Sequence, residues 1–299
     1  MAITHVEIND FLVFKGKFTA DFCKGINVLI GGNGTGKTTL MKAMYNYFMG
    51  KRQLIQLFDN PIPIITGVQN AMNLISDFSE TPRLLYLPEK DILEHAKGLL
   101  PFIEQKSTGF DQIYRDILVR AQDIPTNNQT ETQKKIGEMI TDIIGGYIKW
   151  EQSEGSFYTV RTDGTRIPFA VEASGFKKLG FLGLLVASGQ LESGSVLFWD
   201  EPENSLNPER VPKLVDILLE LSRNGAQVFV ATHSEILAGY FAVNRKKEDD
   251  VTFISLYKYG EQVKATASSR FDLLEPNNLT AEPVKLYEKA IEKGLYGNG

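Results

Sequence analysis

The chain has 299 residues, and its 42% hydrophobic content is sufficient for one large domain or two lobes with a packed core. Its 32 basic and 37 acidic residues give a formal charge of −5, so any contact with DNA would need a local basic patch. The single cysteine, Cys23, excludes an internal disulfide framework and has no partner at zinc-binding spacing. We expect it to be a small buried group.

The N-terminal residues contain no basic segment followed by an apolar stretch, so we expect no secretion signal. The longest apolar run, residues 179–187, is too short to span a bilayer. These features predict a cytoplasmic protein with no membrane partner.

The N-terminal part of the chain predicts a hairpin followed by a strand, a loop and a helix. Apolar and polar residues alternate over residues 3–22, which predicts two antiparallel strands with Gly16 at the turn. Residues 25–30 are typical of a buried strand, and residues 38–47 have the spacing of a helix. A glycine-rich stretch separates these two elements.

The middle of the chain predicts an inserted lobe. A short apolar strand at residues 83–87 is followed by helical spacing over residues 89–100. Residues 101–150 have mostly helical patterns, interrupted by a proline and by a Gly-Gly pair. We therefore expect two parts: a core formed by residues 1–55 and 165–299, and a mainly helical insertion lobe over residues 56–164.

Apolar strands alternate with helices in the rest of the chain. After a strand-like segment that turns at Asp163-Gly164, the elements predicted are a helix from about Gly175, buried strands at 195–199 and 227–231 with a helix at 208–223 between them, a hairpin at 251–267 and a helix at 281–294. This order predicts an α/β fold, with a mostly parallel sheet flanked by helices and an N-terminal antiparallel β portion. No heptad pattern is sustained, so no long coiled-coil arm is expected.

The glycine-rich stretch fits the pattern G-x-x-x-x-G-K-[ST] between a predicted strand and a predicted helix. Glycines let backbone N–H groups converge on phosphate oxygens, and the following helix adds its positive end. We expect Lys37 to reach the β- and γ-phosphates of a nucleotide and Thr38 to ligate Mg²⁺. The predicted nucleotide-binding residues are Gly31, Gly32, Asn33, Gly34, Thr35, Gly36, Lys37, Thr38 and Thr39.

Two adjacent acids follow the apolar strand at residues 195–199. Ligands of parallel α/β folds bind at this end of the strands, so Asp200 is predicted to hold Mg²⁺ and Glu201 to polarise the attacking water as general base. Asn207 and Pro208 then have the residue types of a helix start.

His233 follows the strand at residues 227–231. A histidine at a strand end is usually structural, but the order of strand, acids, helix, strand and histidine predicts that His233 senses the γ-phosphate and helps to place the water. His5 and His95 have no such context, and we expect them to be ordinary surface or packing residues.

These residues resemble ABC-type ATPase heads, specifically the SMC/RecF/OLD-like class of DNA repair and bacterial antiphage systems. The similarity covers nearly the whole chain. Its strongest parts are the opening segment with the phosphate loop, the segment WDEPENSLNP at residues 199–208 and the segment ATHSEIL at residues 231–237. Residues 86–99 and 271–291 look like single-protein ATPases of OLD-like defence systems.

The resemblance implies roles for residues outside the phosphate loop. Residues 204–208 would form the D-loop, and Ser174 and Gly175 would be the signature that caps the γ-phosphate bound by another subunit. Phe176 replaces the second glycine of that signature; the alternative is that Ser174 is a simple helix N-cap. Glu89 stands where the class has the glutamine of its Q-loop, and we expect it to bind magnesium or water.

The predicted function is a switch that binds and hydrolyses Mg–ATP, closes as an ATP-dependent homodimer and regulates a separate effector, a nuclease or toxin, in antiphage defence or DNA maintenance. A nucleotide-binding subunit of a membrane transporter and a P-loop kinase are the alternatives. DNA binding has weak support: Arg115, Arg120, Lys134 and Lys135 lie among acids, and a solvated helical face explains them as well.

Overall fold

The computed structural model describes residues 2–48, 72–78, 82–90, 99, 101–103, 112–123 and 128–294. In chain order the elements are β1 (Ile3–Phe11), β2 (Phe14–Asp21), β3 (Ile26–Ile30), α1 (Lys37–Phe48), β4 (Met72–Ser76), β5 (Leu84–Leu87), α2 (Gln112–Arg120), α3 (Glu131–Ile144), β6 (Gly146–Glu151), β7 (Ser156–Arg161), β8 (Arg166–Pro168), α4 (Ser174–Ala187), β9 (Val196–Asp200), α5 (Val211–Arg223), β10 (Gln227–Thr232), α6 (Glu235–Asn244), β11 (Val251–Tyr259), β12 (Gln262–Ser268) and α7 (Asn278–Glu292).

The main sheet has six strands in the order β12-β11-β3-β10-β9-β5. All neighbours are parallel except β12, which is antiparallel to β11. Every residue of β3, β9 and β10 is buried, so both faces of the sheet are covered, as their unbroken apolar runs predict. The α/β fold class, with its mostly parallel sheet, is confirmed.

A three-stranded antiparallel sheet, in the order β2-β1-β4, forms the N-terminal β portion. Gln227 joins it to the main sheet, because its side chain both accepts a hydrogen bond from the Ile3 N–H and donates one to the Ile3 carbonyl, each at 2.8 Å. The two sheets are therefore fixed to each other at the start of β10.

The predicted turn at Gly16 is wrong. The chain reverses at Leu12 and Val13, with Leu12 at φ +53°, and Gly16 lies inside β2. Gly16 has φ +64°, and its N–H donates to Asp10 Oδ1 at 2.7 Å. The positive φ of Gly16 thus accommodates an irregularity within the strand. The alternation of residue types cannot distinguish a glycine at such an irregularity from a glycine at a turn.

The predicted insertion range also contains strands of all three sheets. Although helical patterns were expected to residue 150, α3 ends at Ile144, Gly145 adopts a left-handed conformation, and β6 starts at Gly146. β6, β7 and β8 form a third, antiparallel sheet that contacts α4. β4 pairs with β1, and β5 pairs with β9. The division into a core and a lobe stays a prediction.

Three points concern the helices. None of those in the described ranges has the length and apolar character needed to cross a membrane. The helical segment predicted from residue 89 falls largely on residues 91–98, outside the described residues. α1 packs against β5, β9 and β10, and this contact sets the end of the phosphate loop above the carboxyl ends of those strands.

Candidate functional site

The loop between β3 and α1 adopts a conformation that its glycines make possible. Gly34 and Gly36 have φ +74° and +91°, in the region that disfavours other residues. A Cβ on Gly36 would lie 2.7 Å from Val13 Cγ2 and 2.8 Å from Phe14 Cζ, so this position also has no room for a side chain. The loop ends at Lys37, where the free N–H groups of the first turn of α1 form an anion-binding end.

The remaining loop residues follow this course. The Thr35 hydroxyl donates to the Gly32 carbonyl at 2.9 Å and fixes the loop internally. Asn33 is exposed at the tip, whereas Thr39 is half-buried in α1. The structure therefore brings the predicted residues 31–39 together as one loop and helix start.

Lys37 lies under this loop with only 6% of its surface exposed. Its ammonium donates to the Gly31 carbonyl at 2.7 Å and to the Gly32 carbonyl at 3.3 Å, and it lies 3.0 Å from His233 Nε2. Burial lowers the pKa of Lys37 to about 8, although the charges of Asp200 and Glu201 act in the opposite direction. A cation is thus held at the point where the loop would receive a polyphosphate.

Thr38, in the first turn of α1, contacts Asp200, the last residue of β9, although the two are far apart in the chain. The Thr38 hydroxyl donates to Asp200 Oδ2 at 2.7 Å, and the Tyr86 hydroxyl donates to the same oxygen at 3.4 Å. Burial raises the pKa of Asp200, while the Thr38 hydrogen bond lowers it. The contact arises because β9 ends beside β5 and below α1.

These two side chains fit a magnesium ion. Hydroxyl and carboxylate oxygens are the ligands that Mg²⁺ takes, and they already lie within 2.7 Å of each other. In the part of the chain that the structure describes, no cluster of three or more His, Cys, Asp or Glu side chains forms a metal site. The pair therefore suits an ion whose other ligands are phosphate oxygens and water, rather than a metal held by protein alone.

Glu201 and His233 lie at the ends of neighbouring strands. Glu201 has φ +47°, its N–H donates to the Ala231 carbonyl at 2.9 Å, and its Oε1 lies 3.4 Å from His233 Nε2. Burial, together with the charges of Glu89 and Asp200, raises the pKa of Glu201. Burial and the charge of Lys37 lower the pKa of His233. A neutral imidazole therefore stands between an ammonium and a carboxylate.

Glu89 lies at the mouth of this group. It is exposed, two residues beyond β5, and its Oε1 accepts a hydrogen bond from Asn204 Nδ2 at 3.1 Å. Its charge raises the pKa of both Asp200 and Glu201, which shows that it lies within electrostatic range of the acid pair. Its predicted role toward magnesium or water stays a prediction.

The predicted signature residues Ser174 and Gly175 are the first two residues of α4. Ser174 is exposed, and among the described residues no hydrogen bond joins it to residues 31–39. The alternative reading of Ser174 as a helix N-cap is wrong, because the N-cap is Ala173 and no side chain caps the helix there. Gly175 is needed for packing: a Cβ would lie 2.6 Å from the Ser205 carbonyl oxygen.

Phe176 stands where the resemblance leads us to expect a glycine, and two arginine side chains contact its ring. The guanidinium of Arg210 lies 5.1 Å from its ring centroid and that of Arg161 lies 5.7 Å from it. Arg161 in turn bonds both carboxylate oxygens of Glu172, at 3.0 and 2.8 Å. Glu172 accepts a hydrogen bond from the Ala173 N–H at 2.9 Å, so this cluster fixes the residue that caps α4.

Three contributors were missed by sequence reasoning. Tyr86 contacts Asp200, as described above; Lys178 donates to the Glu201 carbonyl at 3.2 Å; and Glu203 bonds the Thr232 hydroxyl. A signal existed for two of them, since Lys178 is a lysine within an apolar helix and Glu203 is a third acid, two residues after the predicted pair. Tyr86 had none, because a tyrosine in a buried strand is common.

His5, the cysteine and the four basic residues considered for DNA have partners within the chain. His5 bonds Asp21 at 2.6 Å. Cys23 is half-buried instead of fully buried as predicted, and burial raises the pKa of its thiol to about 11. His95 lies outside the described residues. The four basic residues considered for DNA are engaged within the chain: Lys134 pairs with Glu131, Lys135 with Glu220, Arg120 bonds Gln190, and Arg115 also has a partner.

Two family models match the chain. One, described as "AAA domain", matches residues 5–149, and the other, described as "AAA domain, putative AbiEii toxin, Type IV TA system", matches residues 103–238. No curated protein matches the chain.

Solved structures share its fold over nearly the full length. An SMC head bound to the C-winged helix domain of ScpA is 13% identical, with 91% of this chain and 99% of that chain covered and a TM-score of 0.56. The SMC head of Pyrococcus furiosus, with an extended coiled coil and the C-terminal domain of ScpA, is 11% identical, with 96% and 98% covered and a TM-score of 0.53. MJ1267, an ATP-binding cassette of an ABC transporter, is 15% identical, with 96% and 99% covered and a TM-score of 0.52.

The chain has the fold of SMC heads and ABC-type cassettes, and its phosphate loop and acidic strand end lie at the same edge of the main sheet. The family matches agree, because both describe AAA-type domains and together they extend from residue 5 to residue 238. The AAA-type matches and the shared fold support nucleotide binding by this chain.

Proposed function

We propose that the protein binds Mg–ATP in the loop of residues 31–39 and hydrolyses it. The observation that carries this proposal is the 2.7 Å hydrogen bond between Thr38 and Asp200, with the Lys37 ammonium 3.0 Å from His233 beside it. Phosphate, metal and water would thus be handled by groups that already converge. The backbone N–H groups and Lys37 bind the β- and γ-phosphates, and Thr38 and Asp200 hold Mg²⁺, which neutralises phosphate charge.

Glu201 is the proposed general base. Its raised pKa brings the carboxylate closer to the neutral range in which a base both stays ionised and accepts a proton. His233 Nε2 lies 3.4 Å from Glu201 and 3.0 Å from the Lys37 ammonium, which donates to it, and burial and the charge of Lys37 lower the pKa of the imidazole. Once a phosphate binds Lys37, the imidazole would be placed to hydrogen-bond the γ-phosphate or to orient the water. Lys178 donates a hydrogen bond to the Glu201 carbonyl, and so it fixes the main chain from which the Glu201 side chain extends.

The proposed dimer uses the start of α4 as the second half of the site. Ser174 is exposed, and among the described residues no side chain caps α4, so the N–H groups of Ser174 and Gly175 would be the ones to receive an anion. Ser174 and Gly175 of one protomer would contact the γ-phosphate bound by its partner. ATP would then favour the closed dimer because it contacts both protomers only in that state, and hydrolysis would remove this preference.

Gel filtration with light scattering tests the two parts of this proposal. We expect Glu201→Gln to form a stable dimer with Mg–ATP, because it binds nucleotide without turning it over, and Lys37→Ala to stay unchanged by ATP. Glu209→Gln, an exposed carboxylate on the following 3₁₀ turn, is the matched control and should behave as wild type. An unchanged elution of Glu201→Gln with bound ATP would exclude ATP-driven dimerisation.

Turnover separates hydrolysis from the kinase alternative. We expect phosphate release from Mg–ATP by the purified protein without any acceptor molecule, since Glu201 activates water. ATP binding without phosphate release, with turnover only after an acceptor is added, would favour a kinase.

We propose that the switch controls a separate effector, a nuclease or toxin, in bacterial antiphage defence or DNA maintenance. The match of residues 103–238 to a family described with a type IV toxin–antitoxin system supports this role, as do SMC heads described with a domain of ScpA bound to them. Purification of tagged Glu201→Gln and Lys37→Ala proteins from the native host tests it. A partner enriched only with Glu201→Gln is the expected result, and equal recovery of every protein in both samples would contradict it.

A transporter subunit is the second candidate, favoured by the similarity to the cassette MJ1267. It shares the nucleotide site and would differ in its partner. Recovery of a membrane permease in the same purification, made with detergent, would select this alternative over a cytoplasmic effector system.

A further inference from the structure

We infer that Glu203 is a positioning residue for His233 and acts through the side-chain hydroxyl of Thr232. The inference deepens the proposed function, because His233 belongs to the proposed hydrolytic site. Glu203 is neither a predicted site residue nor a nucleotide contact, and its place in the structure explains why an acid stands there.

A chain of hydrogen bonds runs from Glu203 into the segment that carries His233. The Thr232 hydroxyl donates to Glu203 Oε1 and accepts from the Ser234 N–H, the latter at 2.8 Å. The Ser234 hydroxyl then accepts from the Leu237 N–H at 3.1 Å and caps α6. The residues on both sides of His233 are therefore fixed, and the Thr232 hydroxyl is fixed by Glu203.

The same acid connects the two strand ends that make the site. Glu203 is two residues after Glu201, and its carbonyl accepts a hydrogen bond from the Leu206 N–H at 2.9 Å, which holds the turn. The Glu201 N–H bonds the Ala231 carbonyl, so a main-chain bond and the Glu203 side chain both join the segment after β9 to the last two residues of β10. Together they set how far His233 lies from Glu201.

Stability alone is a poor explanation for this acid. Burial raises the pKa of Glu203, and among the described residues its Oε2 has no hydrogen-bond partner. A buried carboxylate with one oxygen that makes no hydrogen bond destabilises the folded state relative to an apolar side chain at the same place. Retaining it makes sense if the one hydrogen bond it does make, to Thr232, has a purpose in placing the histidine.

The first test is a set of single and double variants, measured by steady-state ATP hydrolysis. We expect Glu203→Ala and Thr232→Val each to lower kcat about tenfold with little change in KM, because a displacement of about 1 Å is enough to impair catalysis. Glu203→Gln keeps an acceptor oxygen and Thr232→Ser keeps the hydroxyl, so each should restore most of the rate.

Double variants decide whether Glu203 acts through His233. Glu203→Ala combined with Thr232→Val should be no slower than either alone, and adding Glu203→Ala to His233→Ala should leave the rate of His233→Ala unchanged. Effects that multiply would overturn the inference, since they would mean that Glu203 acts independently of the histidine.

A measurement without ATP separates this inference from the proposed function. The chain has three histidines, and His233→Gln identifies the imidazole NMR signal of His233. Glu203→Ala and Thr232→Val should shift or broaden that signal, while Glu203→Gln and Thr232→Ser should not and the His5 signal should stay constant in all four. A His233 signal that is unchanged in a folded Glu203→Ala protein, or in Thr232→Val if that variant folds better, would refute the positioning role. Absence of ATP hydrolysis in the wild type would instead refute the proposed function.

Discussion

The two halves of the proposed site are built in different ways. Around the phosphate loop, Lys37, Thr38, Asp200, Glu201 and His233 contact one another within a single protomer, at distances of 2.7 to 3.4 Å. At the start of α4, Ser174 is exposed, and among the described residues no hydrogen bond joins it to those groups; its neighbours Ala173 and Phe176 are held by Glu172, Arg161 and Arg210.

This difference indicates that the residues proposed for hydrolysis and those proposed for dimer closure have separate physical requirements. The first half needs short contacts between buried charges, which a parallel sheet supplies by ending its strands at one edge. The second half needs an exposed helix start that is held in place, which Arg161, Glu172 and Phe176 provide although Phe176 stands where a second glycine was expected. Variants in one half should therefore leave the function of the other intact.

The largest expected effect is on hydrolysis by Glu201→Gln. Loss of the general base should lower kcat by roughly 10²–10⁴-fold, while the dissociation constant for ATP stays close to that of the wild type. Phosphate-release kinetics and calorimetry measure the two quantities. A rate close to wild type would break the comparison, because the first half would then lack the base that we assign to it.

Lys37→Ala should mainly affect binding. Hydrogen bonds to a charged group contribute about 1.5–3 kcal/mol, so we expect ATP affinity to fall roughly 10- to 100-fold. Calorimetry with Mg–ATP measures this change. Lys213→Ala removes an exposed lysine that pairs with Asp142, and should bind ATP as the wild type does; equal affinity in both variants would remove Lys37 from the phosphate site.

Arg161→Ala sharpens the contrast at the start of α4. Its loss leaves the buried Glu172 carboxylate without its guanidinium, and we expect the free energy of unfolding to fall by about 1.5–3 kcal/mol. Urea denaturation measures this. ATP affinity of the monomer should stay unchanged, whereas nucleotide-driven dimerisation of the Glu201→Gln background should weaken.

Arg166→Ala is the control for this prediction, because Arg166 lies on the same small sheet but is exposed and pairs with the exposed Glu154 and the half-buried Glu151. Its effect on stability should be within about 0.5 kcal/mol. If Arg161→Ala weakened ATP binding by the monomer, the two halves would be coupled in a way that the separate contacts do not explain.

The smallest effect concerns pH. The pKa of Lys37 is lowered to about 8 by burial, and a bound phosphate would raise it, because the phosphate favours the charged ammonium. ATP affinity should therefore be independent of Lys37 titration well below pH 8 and should fall as the pH rises through 8, by at most about tenfold per pH unit. Calorimetry at several pH values measures this. Lys37→Arg, which stays charged, should lack the decrease if it binds ATP.

The sequence by itself determined the parts that depend on neighbouring residues. The glycine pattern of residues 31–36, the apolar runs of β3, β9 and β10, and the residues that follow those strands were readable, because local backbone geometry and burial set the types of adjacent residues. The acids and the histidine each follow a strand, and the two strands are joined by a helix and are therefore parallel. Parallel strands end at the same edge of a sheet, so few arrangements would keep the acids and the histidine apart. The class of the protein followed from these features.

Only the tertiary structure decided which distant residues meet. The contact of Tyr86 with Asp200, the bond from Thr232 to Glu203 and the two arginines beside Phe176 join residues far apart in the chain. No local pattern marks such pairs, since a side chain's partner depends on how whole strands and helices pack. The same reason explains Gly16, whose φ of +64° meets a need inside β2 rather than at the turn.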